Sequence, residues 1–441
     1  MLRCKSLIVF VLVSIVFFNA PGQEIREYMD LQLHPTMHVP YSFFGKGMTW
    51  FDEAHPPKLK YKHFLKNISY ANYFNHNKGL RIMVVGVLTR ENMWSRKKAR
   101  RILVKQLNYY DEFVKNNSEN FAIAKTPQEV RDLVHNTDKT IIVFSIEGGR
   151  NLVDSQEDAN FWAEKGVSFI TLVHLVDSKY GASAIRPGLG TTMLNTKGVL
   201  RREKKRRLTE KGKQAIQWLA NAGVMTDLTH MSDLTRKDAL AFMEEKGIPP
   251  LVTHDMFKPI QNHPRGVEEE DVKKIYRNNG LMSLPLSGES LMAFKPSEKY
   301  KAKIDSLTRY CNGSIDSYIF SYLALKEFIE TNIATIYGDS NLSVKDLDEK
   351  ELVNISIGFQ SDFNGWVNHH RPRYGKDGCY ELVPGMSYED IEVQGMAHPG
   401  LMDSHWKLMA KEGVDIEPVK RASEKFLQMW QQFLDRRGMF D

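Results

Sequence analysis

At six places in the chain, a β-like run gives way to a turn at an imidazole, a carboxylate or an amide. Gln32 and His34 close the first such run, Glu147 the third and His174 the fourth. Asp227 and His230 close the fifth, His254 and Asp255 the sixth, and Asp362 the eighth. A lone histidine at a strand end is more often a hydrogen-bonded core residue than a ligand. Six polar endings, all on the same side, change that weighting. If the strands close on one another, Glu147, His174, His230, His254 and Asp362 meet at one mouth. Imidazoles and carboxylates together suit a borderline-soft divalent ion such as zinc. Such an ion lowers the pKa of water to ~7, and a carboxylate at the mouth can take the proton.

The runs that must position these groups number eight: Asp30–Met37, Arg81–Thr89, Thr140–Glu147, Val167–Leu175, Val224–His230, Pro250–His254, Gly280–Leu286 and Leu352–Asp362. Amphipathic stretches separate several of them. Lys211–Ala222 puts Ile216, Leu219 and Ala220 on one face, with Thr209 as N-cap and Gly223 as stop. Asp271–Asn279, His405–Glu412 and Ser314–Thr331 also read as helices. Strand–helix alternation implies a parallel sheet, and eight strands imply an α/β fold of the (β/α)8 TIM-barrel type. In that fold, catalytic groups project from the C-terminal strand ends. The long connections after the first and seventh strands read as insertions on one barrel spanning 23–441, not as further domains.

Composition agrees with a globular chain. Of 441 residues, 42% are hydrophobic and 26% charged, which excludes disordered, collagen-like and multi-span membrane classes. The formal charge of +6 is too small to require a nucleic acid. The basic runs Arg96–Arg101 and Arg201–Arg207 have no interleaved aromatics and read as solvated surface. Five Asn-x-Ser sequons begin at Asn67, Asn116, Asn312, Asn341 and Asn354. The last falls inside an expected buried strand, so the set reads as chance.

Residues 1–22 stand apart. Arg3 and Lys5 precede the apolar run Leu7–Phe18, and Ala20, Pro21 and Gly22 follow. That order is a signal peptide's, and twelve residues cover only ~18 Å of a ~30 Å bilayer core. The expectation is export to a periplasm or the outside, with no stable membrane span after cleavage. Cleavage removes two basic residues and no acid, leaving +4. It also removes Cys4. Cys311 and Cys379 then suffice for one disulfide but not a framework, and their pairing stays open.

Taken together, Ile146–Gly149 (IEGG), Thr171–His174 (TLVH), Asp227–Ser232 (DLTHMS), Val252–Asp255 (VTHD), Asn262–Val267 (NHPRGV) and Ser361–Gly365 (SDFNG) resemble the membrane (renal-type) dipeptidases, a family of zinc peptidases. Gly395–Met402 resembles the segment after that family's last strand. The resemblance spans roughly 30–400 and implies an amidohydrolase-like barrel, a two-zinc centre and a dipeptide or similar small amide as substrate. It assigns Glu147 as bridging ligand and His230 and His254 as ligands of the second zinc. His174 would bind substrate and polarise the scissile group, Arg265 would hold the substrate carboxylate, and Asp362 would handle the proton. Family members often form homodimers, although no interface signal stands out here.

The first strand departs from that pattern. The family carries Asp-x-His-x-Asp, or His-x-His in some relatives, where this chain reads Asp30-Leu31-Gln32-Leu33-His34. An amide is a poor zinc ligand, so the second site is expected to be retained and the first, with His34 and Gln32, to be weak, rebuilt or empty. Either one or two ions then bind. The departure also keeps two other readings open: a related metal-dependent amide or ester hydrolase, and a non-catalytic binding protein on the same scaffold.

Overall fold

A strand buried on both faces must be apolar almost throughout, and Thr140–Glu147 (TIIVFSIE) is buried at all eight positions. In a computed structural model of the chain, which describes residues 24–34, 79–89, 95–184, 195–200, 203–292, 294–305, 309–363 and 367–440, it forms the fourth of nine parallel strands. These are β1 (Met29–Leu33), β2 (Ile82–Leu88), β3 (Phe121–Ile123), β4 (Thr140–Glu147), β5 (Val167–Thr171), β6 (Met225–Asp227), β7 (Leu251–Val252), β8 (Leu281–Pro285) and β9 (Ile357–Gln360). β2 skips β3 and pairs with β4, from Ile82↔Ile141 to Leu88↔Glu147. Asp30↔Phe359 joins β1 to β9 and closes eight strands into a barrel. The expected (β/α)8 architecture is therefore present. β3 lies outside the closed ring, against Thr140–Ile142 at the start of β4. It was not anticipated, because three residues are too few to show a period.

Helices close the outer layer. Those that bear on the sequence reading are α1 (Arg96–Asn116), α2 (Glu210–Ala222), α3 (Asp233–Lys246), α4 (Glu269–Arg277), α5 (Ile315–Thr331), α6 (Met402–Lys411) and α7 (Glu417–Asp435). α2 begins and ends as its residues dictate. Thr209 Oγ1 accepts from Gly212 N–H at 3.0 Å, and Gly223 takes φ +82°, which a side chain would resist. Ile216, Leu219 and Ala220 are buried. The insertion between β8 and β9 carries α5, capped by Ser314. A disulfide between Cys311 and Cys379, Cα atoms 5.6 Å apart, ties it to the segment after β9.

Several sequence expectations need correction. Every expected run except Thr140–Glu147 extends past the strand it contains, because the backbone leaves the ladder before the run is finished. His174 thus lies three residues beyond β5 and His230 three beyond β6, His230 on a turn, and neither is a strand residue. The last run starts late. Val353–Ile355 is a 3-10 turn, so Asn354 is no strand residue, and its side chain accepts from Lys425 Nζ at 2.9 Å. The Arg201–Arg207 run is not wholly solvated. Arg206 is buried on the carbonyls of Gly198 and Ser183, and Arg207 pairs with Asp238. In the other run, Arg100 lies over the Phe161 ring, 3.3 Å from its centre. Most of the insertion after β1 and the expected signal peptide lie outside the described residues.

Candidate metal centre

Glu147 ends β4 with its carboxylate almost wholly buried. Its Oε1 lies 3.2 Å from His230 Nε2, 3.3 Å from His254 Nε2 and 3.6 Å from His174 Nε2. The two Nε2 atoms of His230 and His254 face each other at 3.0 Å. His174 stands edge-on to His230, ring centres 4.5 Å apart. Among the described residues, Glu147, His230 and His254 are the group whose ligand atoms all lie within 4.8 Å of one another.

Local backbone and hydrogen bonds aim these rings. His230 adopts φ +67°, left-handed geometry that histidine tolerates better than most residues and that clusters at functional sites. His254 is oriented through its neighbour. Its Nδ1–H donates to Thr253 Oγ1 at 2.8 Å, and Thr253 Oγ1 donates to Asp227 Oδ2 at 2.8 Å. Asp227 also accepts from Thr171 Oγ1, Thr229 Oγ1 and the amides of Thr229 and Thr253. A fully buried carboxylate so saturated is an anchor. It leaves His254 Nε2 as a bare lone pair facing the centre. Burial, with the positive charge of Arg265, pushes the His230 pKa well below its ordinary value, which favours the neutral form of that ring. Burial alone would raise the Glu147 pKa. The charges of His174 and His34 outweigh it and hold the carboxyl well below its usual range. Two imidazole Nε2 atoms and a carboxylate oxygen thus converge on one point. That donor set fits a divalent cation.

The other side of Glu147 is built differently. His34 Nε2 lies 3.0 Å from Glu147 Oε2 and 3.3 Å from Asp362 Oδ1, while His34 Nδ1–H donates to the Gly86 carbonyl at 2.8 Å. Burial opposes protonation of His34, but the charges of Glu147 and Asp362 outweigh it and push the pKa up to about 10. Gln32 Nε2 lies 3.3 Å from His34 Nε2. Asp362 sits at φ +57°, and its amide donates to the Gln32 carbonyl at 3.0 Å. Beneath them, burial pushes the Asp30 pKa up to about 7 against hydrogen bonds from Ser361 and the Gln32 backbone N–H. Arg265 stands over the His254 edge. Its Nε donates to Asp255 Oδ1 at 2.8 Å and its Nη2 to the His254 carbonyl.

The eight residues singled out from sequence therefore gather around this mouth. The sequence reading gave Asp227 no role and passed over Thr253, Ser145 and Gly86. A signal for Thr253 was present. A Thr-His pair, Thr229-His230 and Thr253-His254, recurs at two successive strand ends.

The sequence model of the membrane dipeptidases, peptidase family M19, matches residues 70–347. The chain belongs to this family. An uncharacterized dipeptidase of Schizosaccharomyces pombe is 26% identical over 151 residues, 34% of this chain and 32% of that protein. The chain matches about a third of the length of such curated relatives. Among solved structures, the probable dipeptidase PvdM of Pseudomonas aeruginosa superposes with TM-score 0.57 at 17% identity, covering 93% of this chain and 96% of that one. A Rhodobacter sphaeroides metallo peptidase, liganded with a phosphinate mimic of the dipeptide L-Ala-D-Ala, superposes with TM-score 0.56 at 11% identity, covering 92% and 99%. At these identities the structural likeness is one of fold. Within this dipeptidase-family chain, Glu147, His230 and His254 fit the metal that such peptidases use. The Gln32 amide does not.

Proposed function

We propose that the chain is an exported zinc-dependent dipeptidase. The observation that carries the reading is the convergence of Glu147, His230 and His254 on one cation-sized point, in a chain of a dipeptidase family. A zinc ion bound there would supply Lewis acidity and make water acidic enough to attack at neutral pH.

The side chains then divide the remaining work. Arg265 pairs with the C-terminal carboxylate of a dipeptide, a task its planar fork suits, while Asp255 and the His254 carbonyl hold its other edge. His174 donates to the scissile carbonyl oxygen as that atom gains charge. Asp362 takes the proton of the attacking water and passes it to the leaving amine. The substrate class is supported by the dipeptide mimic held by the Rhodobacter sphaeroides relative of this fold.

The N-terminal pattern supports export, and no helix among the described residues is long and apolar enough to cross a membrane. The experiment is a substrate panel on the purified mature protein with added zinc: dipeptides, N-acyl amino acids and lactones. Dipeptide cleavage that disappears in His254→Ala supports the reading. Cleavage of the other classes alone moves the chain to a related amide or ester hydrolase. No cleavage of any class with zinc, manganese or cobalt makes it a binding protein.

A further inference from the structure

The two oxygens of the Glu147 carboxylate keep different company. Oε1 faces the imidazole lone pairs of His230 and His254. Oε2 faces His34, and behind His34 stands the Gln32 amide. Ser145 Oγ donates to Gln32 Oε1 at 3.2 Å, which turns the Gln32 NH2 group toward His34 Nε2, 3.3 Å away. An amide nitrogen has no lone pair to give a metal. Its two hydrogens point where a ligand would have to present electrons.

The surroundings lock this arrangement. Gln32, His34 and Ser145 are completely buried. His34 is pinned through Nδ1 to the Gly86 carbonyl. Gly86 leaves the space in which both side chains lie, since a Cβ there would stand 2.5 Å from Gln32 Nε2 and 2.7 Å from His34 Cε1.

Resting on the metal reading above, we propose that this chain holds a single ion, gripped by Glu147, His230 and His254, and that the Ser145-oriented Gln32 amide fills the Oε2 side of Glu147 and rejects a second ion. Asp362 and His34 on that side are then left to hydrogen-bond each other and the substrate instead of a metal.

The test is metal content by mass spectrometry after zinc loading and exhaustive dialysis, on wild type, His254→Ala, Gln32→His and Ser145→Ala, each checked for an unchanged melting transition. The expected result is about one zinc per wild-type chain and about two per Gln32→His chain, because the substitution replaces an amide donor with an imidazole acceptor. Ser145→Ala frees the amide to turn its oxygen inward, and a weak second ion should appear on calorimetric titration. Two tightly held ions in wild type, one of them lost in His254→Ala, overturns the proposal and leaves the dipeptidase reading standing. A folded Gln32→His protein that still holds one ion also overturns it. No ion in wild type overturns both.

Discussion

The halves of the mouth on either side of Glu147 use the same kinds of residue to opposite ends. On the β6–β7 side, Asp227 collects donors, and Thr253 relays its orientation to His254 so that a lone pair faces inward. On the β1–β2 side, Ser145 and the Gly86 carbonyl hold Gln32 and His34, and what faces inward is an amide NH2 beside an imidazole flanked by two carboxylates. One side presents electrons and the other presents protons. The residues behind the mouth, more than those lining it, decide which side can hold a cation.

The largest effect should come from removing electrons on the first side. His230→Ala or His254→Ala should abolish bound zinc and lower dipeptide turnover on the order of 10³-fold or more, since metal activation is worth several kcal/mol. Metal analysis alongside kinetics reads both, and turnover that survives loss of the ion would show that the lone-pair side does no chemistry.

Arg265→Ala should lower kcat/KM for dipeptides by about 100-fold, the worth of a charge-assisted pair, while zinc content stays as in wild type. Unchanged dipeptide kinetics would remove Arg265 from substrate binding. One step behind the mouth, Thr253→Val should weaken zinc binding about 10- to 100-fold by releasing the His254 tautomer. Competition with a chromogenic chelator measures this. An affinity equal to wild type would mean that Asp227 braces the barrel without aiming the ligand.

The smallest effect lies outside both halves. Lys425 on α7 is buried, with Nζ donating to Asn279 and Asn354, and burial pushes its pKa down to about 7. The unfolded chain therefore binds the extra proton between pH 7 and the ordinary lysine value. This group makes stability rise with pH through that window, by up to about 1.4 kcal/mol per unit, and stay flat below it. Urea midpoints at pH 7 and 9 should diverge in wild type by more than in Lys425→Met. Equal divergence would show that the asparagines keep the ammonium charged.

Much of the barrel was readable because buried parallel strands demand apolar runs. Thr140–Glu147 stood out for that reason, and its bounds match β4 residue for residue. The ends of shorter strands did not stand out. β7 is only Leu251–Val252, and nothing in Pro250–His254 marks where pairing stops. β3 was invisible, since three residues show no period and its place depends on the edge at the start of β4. Ligand types were legible from histidines and carboxylates at strand ends. Their aim was not. Whether Gln32 offers its oxygen or its nitrogen depends on Ser145, 113 residues away, and whether Cys311 meets Cys379 depends on how the β8–β9 insertion folds back.

Anomalous diffraction at the zinc edge, on crystals grown with the metal, addresses the asymmetry of the mouth most directly. One peak enclosed by Glu147 Oε1, His230 Nε2 and His254 Nε2 is the expected result. A peak on the His34 side of Glu147, or none at the mouth, would contradict it.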